Sequence, residues 1–164
     1  MNDFMEMAME RARYTHDHGN FPVGAALTVG EGIEETLIGL GANQINTARD
    51  FTKHAENMAI FSAGPLLYRA LSEGKKITLR TTLEPCIGCF SQAVMTRVSE
   101  VIYACPDPMG GATLIKPPTQ WYERHWPKIT QGPYLEQSRD LLIEHCLQNP
   151  ERWQKLLDGL RQIK

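Results

Sequence analysis

The hydrophobic positions of this chain change period several times, and each change marks an element. Between Asp3 and about His18 there is no Gly or Pro, and Phe4, Ala8 and Ala12 recur at helical spacing, which predicts a helix. Gly19 and Asn20 end it. Phe21 to Val29 (FPVGAALTV) and Thr36 to Gly41 (TLIGLG) read as a strand hairpin, with turn chemistry in Gly30-Glu31-Gly32. A polar, irregular stretch from Asn43 to Lys53 leads to a second helix beginning near His54, which Pro65 should end or kink. Lys76 to Thr82 (KITLRTT) is a third strand and Val101 to Ala104 a fourth. Between them Pro85 opens a third helix, where its missing N–H costs nothing.

Beyond Pro106 the pattern weakens. Residues up to Pro133 are rich in Pro, Gly and aromatics and define no element. Tyr134 to Leu147 and Glu151 to Lys164 read as two C-terminal helices separated by Asn149-Pro150. The last carries Trp153, Leu156, Leu157, Leu160 and Ile163, a stripe that packs on its own core, with a dimer contact as the alternative. The alternation of helices and strands predicts an α/β chain with a sheet covered by helices.

Composition narrows the class. The 164 residues suit one domain, residues 1–164, with its C-terminal helices from about 134. The hydrophobic fraction of 42% and charged fraction of 22% are those of a globular protein rather than a disordered one. A net charge of -2 argues against a dedicated nucleic-acid binder. No apolar run could span a bilayer, so no membrane partner is expected. The first residues lack a signal peptide's basic and apolar regions, which makes the cytoplasm the expected compartment. In that reducing setting Cys86 and Cys89 read as a metal-binding or redox pair, whereas Cys105 and Cys146 read as buried apolar side chains.

Two short motifs carry the candidate chemistry: His54-Ala55-Glu56 and Pro85-Cys86-Ile87-Gly88-Cys89, each opening a helix. Cys86 and Cys89, three apart, project from one side of a first helical turn, whose partial positive charge favours thiolate. Two thiolates and the His54 imidazole make a three-ligand zinc site with an open position, the mark of a catalytic zinc. Glu56 does not share the helical face of His54, so it is an acid/base group leaning over that position rather than a fourth ligand. Each motif alone has an ordinary reading: a thiol redox pair, a closed structural zinc, or a structural histidine. Their combination in this order, with Pro before the first Cys, is far more specific.

HAENMAI (His54 to Ile60) with TTLEPCIGC (Thr81 to Cys89) resembles the cytidine and deoxycytidylate deaminase superfamily. TLEPC and the later VIYACPDPMGGA most resemble its branch of tRNA adenosine deaminases and guanine deaminases, and FPVGAAL and Asn43 fit as well. The likeness runs from about Phe4 to Ala112. It implies a three-layer α-β-α sandwich with a five-stranded sheet, usually in a dimer or larger assembly. Four strands are legible, so the fifth should come from residues 112–130. It also implies one zinc per chain on His54, Cys86 and Cys89, Glu56 as proton shuttle, and Asn43 bonded to the base. The backbone N–H groups of Ala55 and Cys86, at helix starts, are further candidates for a substrate carbonyl. Asn43 retains a plainer reading as a turn-stabilising residue, and Glu84 is read as structural.

The expected reaction is hydrolysis of an exocyclic amine on a free nucleobase, nucleoside or related heterocycle, with ammonia released. A tRNA adenosine deaminase is the alternative, and Lys116, Arg124, His125 and Lys128 among Trp121, Tyr122 and Trp126 would then be the RNA contact. The prolines of that segment suggest a rigid lid instead. A non-catalytic zinc-binding partner subunit is the alternative of another class, although such proteins lose the shuttle carboxylate and Glu56 is present.

Overall fold

The computed structural model describes residues 3–164; Met1 and Asn2, where the leader reading begins, lie outside the described residues. Helix α1 (Phe4–Asp17) starts at Asp3, whose carboxylate accepts the N–H groups of Met5 and Glu6. The hairpin forms as β1 (Gly24–Val29) and β2 (Thr36–Ala42), with a bulge between Leu27 and Thr28. A short helix, α2 (Ile45–Ala48), interrupts the stretch expected to be irregular. Helix α3 (Ala55–Ser72) follows His54, and Pro65 kinks it rather than ending it: Gly64 takes a φ of 40° and the helix resumes.

Next come β3 (Ile77–Leu83), α4 (Ile87–Met95), β4 (Glu100–Cys105), the short α5 (Gln120–Glu123) and β5 (Lys128–Gln131). Helices α6 (Leu135–Leu147) and α7 (Pro150–Leu160) close the chain. Pro85 lies before the cap of α4, which is Cys86, and not in its first turn. The fifth strand sits at the far end of the expected region, because the residues before it form turns and α5.

The sheet order is β2-β1-β3-β4-β5, antiparallel around β1 and parallel from β3 to β5. Its two faces are visible in alternation: Ala25 and Leu27 of β1 join the larger core with α3 and α4, while Ala26 meets α1. Glycine allows the closest approaches. A Cβ on Gly41 would stand 1.9 Å from the Ala55 carbonyl oxygen, so only glycine lets α3 lie this near β2. The α7 stripe packs inward, with Leu156, Leu157 and Leu160 buried and Trp153 and Ile163 against them, which removes the stripe as a dimer contact.

Candidate active site

Two helix starts meet at one end of the sheet. His54 caps α3 and Cys86 caps α4, which follows β3 directly. The His54 side chain makes no capping bond to its own helix, and the Cys86 sulfur meets only Cys89 of α4, so both side chains are available to each other. The Nδ1 of His54 lies 3.9 Å from the Sγ of Cys86, and the ligand atoms of His54, Cys86 and Cys89 all fall within 4.8 Å of one another. Around a tetrahedral zinc, N and S ligands stand about 3.5–3.8 Å apart. The three donors fit one zinc ion.

Their protonation is unequal. Hydrogen bonds from Cys89 and then His54 lower the Cys86 thiol to about 3, while the same contact with Cys86, and burial, push Cys89 up. The bond to Cys86 raises the His54 imidazole. A cation entering such a set displaces its remaining protons. Glu56, on the first turn of α3, is 4% exposed, and burial raises its carboxyl.

A cavity of about 630 Å³ opens over His54, Glu56 and Cys86. Asn43 forms part of its wall, and its Oδ1 also accepts the Ile45 N–H at 3.1 Å, so the turn-stabilising and wall positions coexist. Ala55 is fully buried outside the wall. Glu84 is engaged internally: its carboxylate accepts N–H groups of Asp107 and Thr113 and the Thr113 hydroxyl. Those bonds hold the 107–113 loop, whose Asp107, Met109 and Gly110 form one lip. Cys105 and Cys146 are buried away from the metal-type cluster.

The remaining wall was not legible in the sequence. Phe21 approaches His145 and Trp153, each at 5.2 Å between ring centroids, and all three line the cavity. Trp153 carried a core signal only, and His145 carried none. Pro108 packs where a Cβ on Gly159 would be 2.5 Å away, bringing α7 against the lip. The Trp121 to Lys128 segment, by contrast, does not reach the cavity. Trp126 packs edge-on against Phe90 at 5.1 Å, and Lys128 binds Glu100 at the start of β4, the end of the sheet remote from Cys86. Of the proposed rigid lid only residues 107–110 stand at the opening, because Pro117, Pro118 and Pro127 lie outside the wall.

Sheet order and site together define an α/β protein with a His/Cys/Cys zinc-type centre at paired helix starts. The chain belongs to the cytidine and deoxycytidylate deaminase family, whose zinc-binding-region model matches residues 1–105. It is 32% identical over 146 residues to a tRNA-specific adenosine deaminase of Aquifex aeolicus, covering 86% of this chain and 90% of that one. A tRNA-specific adenosine deaminase of Buchnera aphidicola is 31% identical over 102 residues, 61% of this chain, and the match spans 62% of that protein's length. A solved guanine deaminase from Bacillus subtilis superposes with a TM-score of 0.52 at 30% identity, covering 65% of this chain and 66% of that one. No helix among the described residues is long and apolar enough to cross a membrane.

Proposed function

We propose that this protein hydrolyses the exocyclic amine of a free nucleobase, nucleoside or related aminated heterocycle, with residues 1–164 acting as one catalytic unit. The observation that carries the small-ring reading is the cavity wall. His145, Trp153 and Leu156 of the C-terminal helices join Phe21 in that wall, giving a half-open cleft whose volume is within the range of small-molecule pockets.

His54, Cys86 and Cys89 are the zinc ligands in this reading, and zinc when bound supplies the Lewis acidity that makes water a nucleophile at neutral pH. Glu56 would take one proton from that water and deliver it to a ring nitrogen, then take the second from the new ring hydroxyl and pass it to the leaving amine, which departs as ammonia. Its burial supports the role, since a carboxyl raised towards neutrality both accepts and returns a proton. Asn43 presents its amide to the ring edge, and the N–H of Cys86, which lines the cavity, faces a carbonyl on the ring, whereas Ala55 lies buried outside that wall.

Similarity to tRNA-specific adenosine deaminases over most of the chain supports a second reading, with an anticodon-loop adenosine as substrate. A panel of cytosine, adenine, guanine, their nucleosides and an anticodon stem-loop RNA separates the two. Ammonia from a small ring and not from RNA is the expected result, and ammonia from RNA alone overturns it. Silence across the panel with zinc bound favours a non-catalytic zinc-binding subunit.

A homodimer is part of the same proposal. Adjacent helices α3 and α4 leave Phe61, Tyr68, Ile87 and Met95 exposed, apolar side chains suited to a second copy. Light scattering should give twice the chain mass, and a monomer would refute it. Four free cysteines fit a reducing cytoplasm.

A further inference from the structure

Asn20 is a polar side chain that the reaction does not use, yet it is only 2% exposed. It stands in the turn between α1 and β1, immediately before Phe21 of the cavity wall. Its Oδ1 accepts the N–H groups of Asn46 and Thr47 at 3.0 and 3.1 Å, and its Nδ2 donates to the Thr47 hydroxyl at 3.2 Å. Those N–H groups belong to the first turn of α2, whose own cap residue, Gln44, makes no side-chain bond to it. The first N–H groups of a helix have no partner within it. Asn20 satisfies two of them from 26 and 27 residues away. The Asn46 amide strengthens the tie by donating to the Gly19 carbonyl at 2.9 Å.

Helix α2 in turn orients Asn43. Ile45, its first residue, gives its N–H to the Asn43 Oδ1 at 3.1 Å, which fixes the amide oxygen on the protein and leaves the amide nitrogen to the cavity. The main chain of Asn43 is anchored separately. Its carbonyl accepts the buried Thr15 hydroxyl, and its N–H donates to the Val23 carbonyl at 3.0 Å. The direction of the Asn43 side chain therefore depends on where α2 starts, and that start is held by Asn20.

We infer that Asn20 is a positioning residue: by capping α2 from outside the helix it fixes the Ile45 N–H, and through it the direction in which Asn43 offers its amide to the ring. A small misplacement of a contact is felt at the substrate even when the altered residue lies outside the site. The inference rests on reading Asn43 as a contact of the aminated ring.

Asn20→Ala removes the cap, whereas Asn20→Asp keeps an acceptor for both N–H groups, to which the Thr47 hydroxyl also donates. Asn20→Ser, too short to reach both, replaces Asn20→Ala in the comparison if the latter does not fold. With the best substrate of the panel, KM should rise about tenfold in Asn20→Ala while kcat stays within about threefold and zinc stays at one per chain. Asn20→Asp should bring KM back to within about threefold of the parent protein. In an Asn43→Ala background Asn20→Ala should change KM by less than about twofold, because the residue it acts through is gone. Unchanged KM in Asn20→Ala, failure of Asn20→Asp to restore it, full additivity with Asn43→Ala, or kcat and zinc falling together overturns the inference. Calorimetry with free adenine, cytosine and guanine on the zinc-loaded proteins separates it from the chemistry. Binding that weakens in Asn20→Ala and recovers in Asn20→Asp, without ammonia from any ring, keeps the positioning role and removes the deaminase reading. Turnover with equal KM in the parent protein and Asn20→Ala does the reverse.

Discussion

His54 and Cys86, 32 residues apart in the chain, bring Nδ1 and Sγ to 3.9 Å because each caps a helix starting at the same end of the sheet. The closeness depends on α3 and α4 lying side by side, not on local sequence. Removing either side chain leaves two donors, too few for a catalytic zinc. His54→Ala and Cys86→Ser should each purify with far less than one zinc per chain by metal analysis. Full zinc content in either variant would show that the ion binds elsewhere.

Glu56 should separate metal binding from turnover. Glu56→Gln keeps shape and burial but cannot carry the proton, so zinc content should hold while kcat falls at least about 10²-fold. Steady-state ammonia release checks this, and a rate near that of the parent protein would remove Glu56 from the proton path.

Gly41 governs how closely the zinc-bearing helix sits on the sheet. In Gly41→Ala the new Cβ meets the Ala55 carbonyl, one residue from His54, at a distance no backbone tolerates. The helix start must shift. Denaturant unfolding should show a loss of about 3 kcal/mol, with zinc affinity lowered as well. An unchanged midpoint would mean that α3 has room to move.

Glu84, although at the cavity, is a strut. Its carboxylate ties β3 to the 107–113 loop through three donors, and Glu84→Ala leaves those donors unpaired. A stability loss of about 2–4 kcal/mol follows, with zinc retained. Loss of zinc at unchanged stability would instead assign Glu84 to the metal.

Glu100 should give the fold an acid-sensitive element. Burial opposes its charge, but bonds from Lys76, Lys128 and Thr130 prevail and hold its carboxyl at about 2, below the ordinary 4.5. A depressed folded-state value means that its stabilisation is complete above about pH 4.5 and fades as pH falls towards 2. The difference in Tm between the parent protein and Glu100→Gln should therefore shrink through that window. A pH-independent difference would count against the ion pairs.

The sequence disclosed the elements whose signals are local. Phe4, Ala8 and Ala12 marked α1, and the two motifs marked the starts of α3 and α4, because cap and metal-ligand chemistry demand particular residues at fixed spacing. What lay hidden depends on distant parts of the chain. Trp153 looks like a core residue in its own helix and becomes cavity wall only when α7 folds back beside Phe21. Trp126 and Lys128, the RNA contact only in the tRNA alternative, meet Phe90 and Glu100 and stand away from the cavity. Residues before β5 carry no hydrophobic period because turns, not ladder bonds, shape them.

The central claim is deamination that depends on one zinc held by His54, Cys86 and Cys89. The measurement that tests it most directly is ammonia release while zinc is titrated into chelator-treated protein, with the best substrate from the panel. The account predicts a rate that rises in proportion to bound zinc and levels off at one ion per chain, and that stays near zero throughout in Glu56→Gln. Ammonia release that is undiminished after chelation, or that fails to follow zinc occupancy, would contradict it.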